Sequence, residues 1–194
     1  IMGENELQAG VKIAVRPLPR GGDLFKISNR VDTRQPLPKA FVQAAERALE
    51  EGLRTGGNRG YPMIYVDAEL IDLQIHPEKT NEGAVVGAVL KAVDSAIREI
   101  GTVVLEPVMH LEILAPSEVI GDVTNYLNPR RAIIHQMADV GGVKRLTCEV
   151  PLAEMFGFGK ALPKLTGGRA SFSMEPRGYQ EIPPDVAAKM FAYL

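Results

Sequence analysis

A chain of 194 residues, 45% apolar and 24% charged, lies in the ordinary globular range and has room for one large domain or two small ones. Its formal charge of −2 excludes a protein that coats nucleic acid through bulk electrostatics; up to Leu105 there are 13 basic against 14 acidic residues and after it 9 against 10, so any RNA contact must be local. A single cysteine, Cys148, rules out an intrachain disulfide or a cysteine metal site, and His76, His110 and His135 do not pair at ligand spacing.

No stretch approaches the roughly 18 uninterrupted apolar residues of a spanning helix, and Ile1 to Gly10 lacks the layout of a signal peptide, so a cytoplasmic protein is expected. Ile1 ahead of Met2 suggests a piece of a longer gene. Val11 to Val15 and Leu24 to Val31 alternate apolar and polar residues around Gly21 and Gly22, which predicts an antiparallel hairpin. After Pro36 to Pro38, the recurrence of Phe41, Ala44, Ala45, Ala48, Leu49 and Leu53 predicts an amphipathic helix ended by Gly52, Gly56 and Gly57.

Met63 to His76 reads as a long strand with a bulge near Asp72, followed by a loop at His76, Pro77, Glu78, Lys79 and Thr80, because Pro77 cannot continue a central strand. Thr80 or Asn81 then caps a helix from Glu82 to Ile100, whose small residues Gly83, Ala84, Gly87, Ala88 and Ala92 suggest close packing against a sheet. Beyond Gly101 the pattern becomes βαββαβ: strand Val103 to Leu114, helix Ser117 to Leu127 capped by Ser117, strands Ala132 to Met137 and Lys144 to Val150 joined by a turn at Gly141 and Gly142, helix Ala153 to Leu165, and strand Arg169 to Met174. This is a ferredoxin-like succession. Cys148 falls at a buried strand position, and a last helix runs from Pro184 to about Tyr193. The fold class is α+β, with domains at 1–102 and 103–182 in mutual contact and a C-terminal helix at 183–194.

A ferredoxin-like unit hosts many unrelated activities, so motifs must decide function. Leu105-Glu106-Pro107-Val108-Met109, Gly121-Asp122, Leu127, Arg130-Arg131, Val150-Pro151-Leu152-Ala153-Glu154-Met155-Phe156-Gly157 and Thr166-Gly167-Gly168-Arg169-Ala170-Ser171 closely resemble the last domain of the elongation factor G family. Gly60-Tyr61-Pro62 before a strand, and a histidine at that strand's end, resemble the family's preceding domain. The resemblance implies a fourth domain with a ribosomal protein S5 domain 2-like fold, whose tip enters the decoding A site during translocation. It also implies a fifth, ferredoxin-like domain near the sarcin-ricin loop and stalk-base RNA, with the C-terminal helix packed back on the assembly. The implied partners are ribosome, tRNA and mRNA, with no membrane, and a monomer is expected. GTP and magnesium belong to the family's first domain; neither GxxxxGK followed by Ser or Thr nor a second guanine motif stands here, so no cofactor and no catalysis are expected of these residues alone.

His76 matches the histidine of the family's tip loop, where a donor can reach the RNA backbone; the plainer reading is a solvated loop residue. The family's tip continues with acids and paired serines, whereas Pro77, Glu78, Lys79, Thr80 and Asn81 stand here, and the opening Glu4 to Gly10 aligns only Gln8 loosely. Both tip loops diverge, as in family members specialised for ribosome recycling, and a likeness to ribosome protection proteins stays open. The tip set is His76, Pro77, Lys79, Thr80, Asn81 and Gln8.

In the second domain Arg130 and Arg131 are candidates to grip rRNA phosphates, against the alternative of complementing a helix C-terminus. Phe156 could lay an aromatic on rRNA, although core packing of Phe156 and Phe158 is the stronger expectation, and Lys160, Lys164 and Arg169 form a moderately basic edge. Glu46, Glu50 and Glu51 share a helix with Arg47 and Arg54, which reads as a solvated face. A small ferredoxin-like enzyme or ligand sensor would need converging acid, base or phosphate-cradling groups, and none is recognisable.

Overall fold

The computed structural model describes residues 7–32, 36–56 and 60–191. The expectations for Glu4 to Glu6, Gly57 and the last residues of the C-terminal helix lie outside them. The chain divides into two compact units, at 1–102 and 103–194, each with its own core.

The first unit carries β1 (Ala9–Pro17), β2 (Phe25–Asn29), α1 (Lys39–Thr55), β3 (Val66–Ile75) and α2 (Glu82–Ile100). The predicted hairpin does not form: β3 lies between β1 and β2, antiparallel to the first and parallel to the second. The reason lies in burial. Val66, Ala68, Leu70 and Leu73 of β3 are all within the core, and a hairpin of β1 with β2 would push this most buried strand to an edge. The chain entering β3 sits between the ends of the other two strands, with Leu18 N–H donating to the Tyr65 carbonyl and Tyr65 N–H to that of Leu24. The expected bulge is present: Lys12 faces Asp72 but Ile13 faces Leu70, leaving Ile71 extra.

The apolar period of α1 buries Ala44, Ala45, Ala48, Leu49 and Leu53, and full burial of a leucine contributes about 1.5–3 kcal/mol. α2 buries Val85, Val89, Val93 and Ile97 at the same period. Of the small residues proposed as its packing face, Gly83 and Gly87 are exposed and Ala84, Ala88 and Ala92 are half-buried, so they flank the buried stripe rather than form it. Close approach is instead permitted by Gly52 of α1, where a Cβ would stand 3.2 Å from Leu90 Cδ2 and 3.4 Å from both Val93 methyls. Gly56 ends α1 with φ 65°, and any side chain there would collide with the Tyr61 carbonyl at 1.8 Å.

The second unit runs β4 (Leu105–Pro116), α3 (Ile120–Leu127), β5 (Ile133–Val140), β6 (Val143–Pro151), α4 (Phe158–Thr166), β7 (Ser171–Glu181) and α5 (Pro184–Phe191). Its sheet order β5-β6-β4-β7 with antiparallel pairing is the ferredoxin-like topology read from the sequence. Leu111, Ile113, Leu146, Cys148 and Val150 pack with Val123, Leu127, Phe158 and Leu162 of the two helices. Burial pushes the Cys148 thiol up to about 11.

Several boundaries depart from the sequence pattern, β5 among them, which runs on to Val140. Ser117 does not cap α3; residues 117–119 form a turn closed by Val119 N–H to the Pro116 carbonyl, and the helix starts at Ile120 without a side-chain cap. The helix expected from Ala153 is broken into a 3₁₀ turn, Leu152–Met155, and α4, because Gly157 adopts φ 82° between them. β7 extends to Glu181, since it pairs along almost all of β4, with a bulge between Pro176 and Gly178 where proline's missing N–H is tolerated on an edge strand.

Candidate nucleic-acid interface

Ala9 opposite Ile75 brings the start of β1 and the end of β3 to one end of the first sheet, and the chain crosses between β3 and α2 there. The crossing is a hydrogen-bonded turn rather than an irregular loop. Lys79 and Thr80 N–H both donate to the His76 carbonyl at 3.2 and 3.1 Å, and Gln8 N–H donates to the Lys79 carbonyl at 2.8 Å. The Thr80 hydroxyl accepts from His76 N–H at 2.7 Å and donates to the Gln8 carbonyl. Asn81 caps α2, its Oδ1 accepting from Ala84 N–H at 2.8 Å.

The structure therefore gathers Gln8, His76, Pro77, Lys79, Thr80 and Asn81 at one tip. Gln8, His76, Pro77 and Asn81 are exposed, while Lys79 and Thr80 are half-buried. Asn81 is occupied as a cap and Thr80 as a tie, which leaves His76, Lys79 and the Gln8 amide as outward donors.

In the second unit the candidates separate. Arg131 turns inward at a left-handed backbone position, φ 55°: Nη1 and Nη2 fork onto Glu106, the latter at 3.0 Å, and Nε donates to Glu154 at 2.9 Å. The Glu106 hydrogen bond, chiefly, raises the Arg131 pKa further above its ordinary range. A guanidinium so occupied cannot also fork onto a phosphate, which corrects its place in the expected contact set. Arg130 donates through Nη1 to the Tyr126 carbonyl at 2.6 Å and lies 3.5 Å above the Tyr126 ring, in the helix C-terminal role. Sequence reading missed Glu106 and Glu154 as partners; Glu106 is 5% exposed, and only the fold reveals that burial.

Gly157 also parts two aromatics. Phe158 points into the core at 1% exposure, with ring contacts to Tyr126 and Phe172, whereas Phe156 is 85% exposed. Core packing thus holds for one phenylalanine and fails for the other. Lys160 and Lys164, one helical turn apart on α4, are exposed and have no ion-pair partner among the described residues. Arg169 is exposed, 3.4 Å from Glu118, and its Nε donates to the Thr166 carbonyl. An aromatic face and two uncommitted ammonium groups on one short stretch are groups that serve RNA, by base stacking and phosphate attraction.

Among the described residues no group of three or more His, Cys, Asp or Glu is placed to hold a metal ion, and no helix is long and apolar enough to cross a membrane. The depression between α1 and α2 is lined by Ala44, Arg47, Ala48, Glu51, Glu82 and Val86, with no Ser, Thr, Cys, His or Lys among them.

Two compact α+β units, the second with ferredoxin-like sheet order, set the class of fold within which the family falls. The family model for elongation factor G, domain IV, matches residues 2–100, and that for the elongation factor G C-terminus matches residues 103–190. The chain belongs to the elongation factor G family, of which it carries domain IV and the C-terminal domain. A crystal structure of a protein from Thermus thermophilus is similar at 30% identity and a TM-score of 0.80, over 93% of this chain and 26% of that one. The chain thus spans about a quarter of the length of that protein.

Proposed function

We propose that these residues are the ribosome-engaging part of a translational GTPase that promotes movement of tRNA and mRNA during elongation in the cytoplasm. The observation that carries the reading is the joint match of both units to elongation factor G domains, together with a tip that offers donors at His76, Lys79 and Gln8. The first unit's tip enters the decoding A site, where those donors meet the tRNA and mRNA backbone and position it without reading its sequence. The second unit meets large-subunit RNA near the sarcin-ricin loop and stalk base through Phe156, Lys160 and Lys164, with Arg169 and Arg130 beside them.

GTP and magnesium are taken by a nucleotide-binding domain outside these residues, so this part performs no chemistry. Its work is steric: rearrangement after hydrolysis puts the first unit into the space vacated by the A-site tRNA, and that occupancy biases movement in one direction. Acting as a monomer is sufficient for this.

The substituted tip, with Pro77, Glu78 and Lys79 after His76, favours a second reading, a paralogue in ribosome recycling or protection. The test is to join these residues to a nucleotide-binding half from a family member. Single-round translocation and recycling-factor-dependent subunit splitting are then measured on purified ribosomes, with His76→Ala alongside. Fast translocation slowed by the variant supports the first reading; splitting without translocation replaces it with the second.

A further inference from the structure

We infer that Thr80 is a positioning residue that sets His76 as a single outward hydrogen-bond donor to the acceptor oxygens of an RNA backbone. The inference rests on the reading of the tip given above and adds to it which atom makes the contact and what holds it.

The Glu78 N–H donates to His76 Nδ1 at 3.3 Å. A ring nitrogen that accepts a hydrogen bond carries its lone pair, so the neutral imidazole bears its proton on Nε2. Nε2–H has no partner among the described residues, and His76 is exposed. The ring therefore presents one donor and no acceptor, which suits a phosphate or ribose oxygen.

That orientation depends on the backbone of His76, and Thr80 fixes it. One hydroxyl accepts from His76 N–H and donates to the Gln8 carbonyl, joining segments 72 residues apart. The Gln8 N–H to Lys79 bond closes the same ring of contacts. A hydroxyl is needed because it both accepts and donates strongly from one atom, which a methyl cannot do and a thiol does only weakly. Valine would keep the shape and lose both bonds, and serine would keep both.

The experiment compares the 194-residue chain with Thr80→Val, Thr80→Ser and His76→Ala variants in two readouts: hydrogen exchange at the His76 amide, which donates to the Thr80 hydroxyl, and affinity for purified ribosomes carrying mRNA and tRNA. Loss of the bridging hydroxyl is expected to speed exchange at the His76 amide about tenfold in Thr80→Val and not in Thr80→Ser. Ribosome affinity should fall by a similar factor, about tenfold, in Thr80→Val and His76→Ala, with serine restoring it. Unchanged exchange in Thr80→Val overturns the tie whatever the affinities. Faster exchange with an affinity loss confined to His76→Ala overturns the positioning role. If His76→Ala itself binds like the unaltered chain, the tip is not the contact, and the inference falls with the reading beneath it.

Discussion

Among the described residues each unit buries one glutamate on a strand under arginine, yet the two arrangements differ in kind. In the first, Glu69 of β3 is 4% exposed and receives Arg16 and Arg30, whose side chains remain 56% and 72% exposed and which approach at 3.2 and 2.6 Å. In the second, Glu106 of β4 is met by Arg131, itself only 23% exposed, with Glu154 and Gln180 completing the network. Water can take over from the exposed arginines if their carboxylate is lost, but it cannot reach the partners of Arg131 so freely. The availability of an arginine for RNA is thus decided by what else holds it. Among the described residues Lys160 and Lys164 of the second unit are uncommitted cations, and its half-buried Arg131 belongs to the fold.

The largest expected effect follows from breaking the inner network. Arg131→Ala should destabilise the second unit by about 3 kcal/mol, read from its denaturant midpoint, because Glu106 is left buried without its forked partner. A loss below about 1 kcal/mol would put Arg131 with the exposed pairs and dissolve the contrast.

Alkali should also separate the units. Cys148 ionises near 9.0 when unfolded and is pushed up to about 11 in the core, so the folded state holds its proton more tightly in between. Stability from this group is fully present below about pH 9 and is lost toward pH 11, by about 1.4 kcal/mol per pH unit at most. Urea melts of the second unit at about pH 8 and about pH 10.5 should show that loss, and Cys148→Ala should flatten the difference between them; an equal slope in the alanine variant contradicts it.

A smaller effect is expected at the exposed arrangement. Glu69→Ala should cost about 1 kcal/mol or less in the first unit, since Arg16 and Arg30 regain hydration. The smallest change in stability belongs to Phe156→Ser, within about 0.5 kcal/mol, because an exposed ring contributes little packing. The same substitution should weaken ribosome binding about tenfold, in line with the loss of one base-stacking contact. Lost stability with unchanged binding would return Phe156 to a structural role.

Much of the second unit was legible because its periods are clean: alternation in β4 and β6, a Gly141-Gly142 turn, and apolar spacing in both helices. What failed there turned on single backbone events, such as Gly157 at positive φ, which sends Phe156 out and Phe158 in although both read as apolar. In the first unit the elements were readable and their order in the sheet was not. Pairing of β3 between β1 and β2 is a contest of burial among strands far apart in sequence, and local alternation carries no record of it. Site residues followed the same division. His76 and Thr80 could be placed in a loop, but the bond from the Thr80 hydroxyl to the Gln8 carbonyl and the commitment of Arg131 to Glu106 and Glu154 exist only once distant segments meet.

The central question is whether the first edge touches the tRNA and mRNA backbone and the second touches large-subunit RNA. Chemical footprinting of purified ribosomes carrying mRNA and tRNA, with saturating chain, addresses this directly, using His76→Ala and the pair Lys160→Glu and Lys164→Glu as controls. The predicted result is protection of the tRNA and mRNA backbone in the decoding site that His76→Ala removes, and separate protection on large-subunit RNA that the lysine reversals remove. Saturating chain that leaves both regions as reactive as in free ribosomes would contradict the proposed role of both edges.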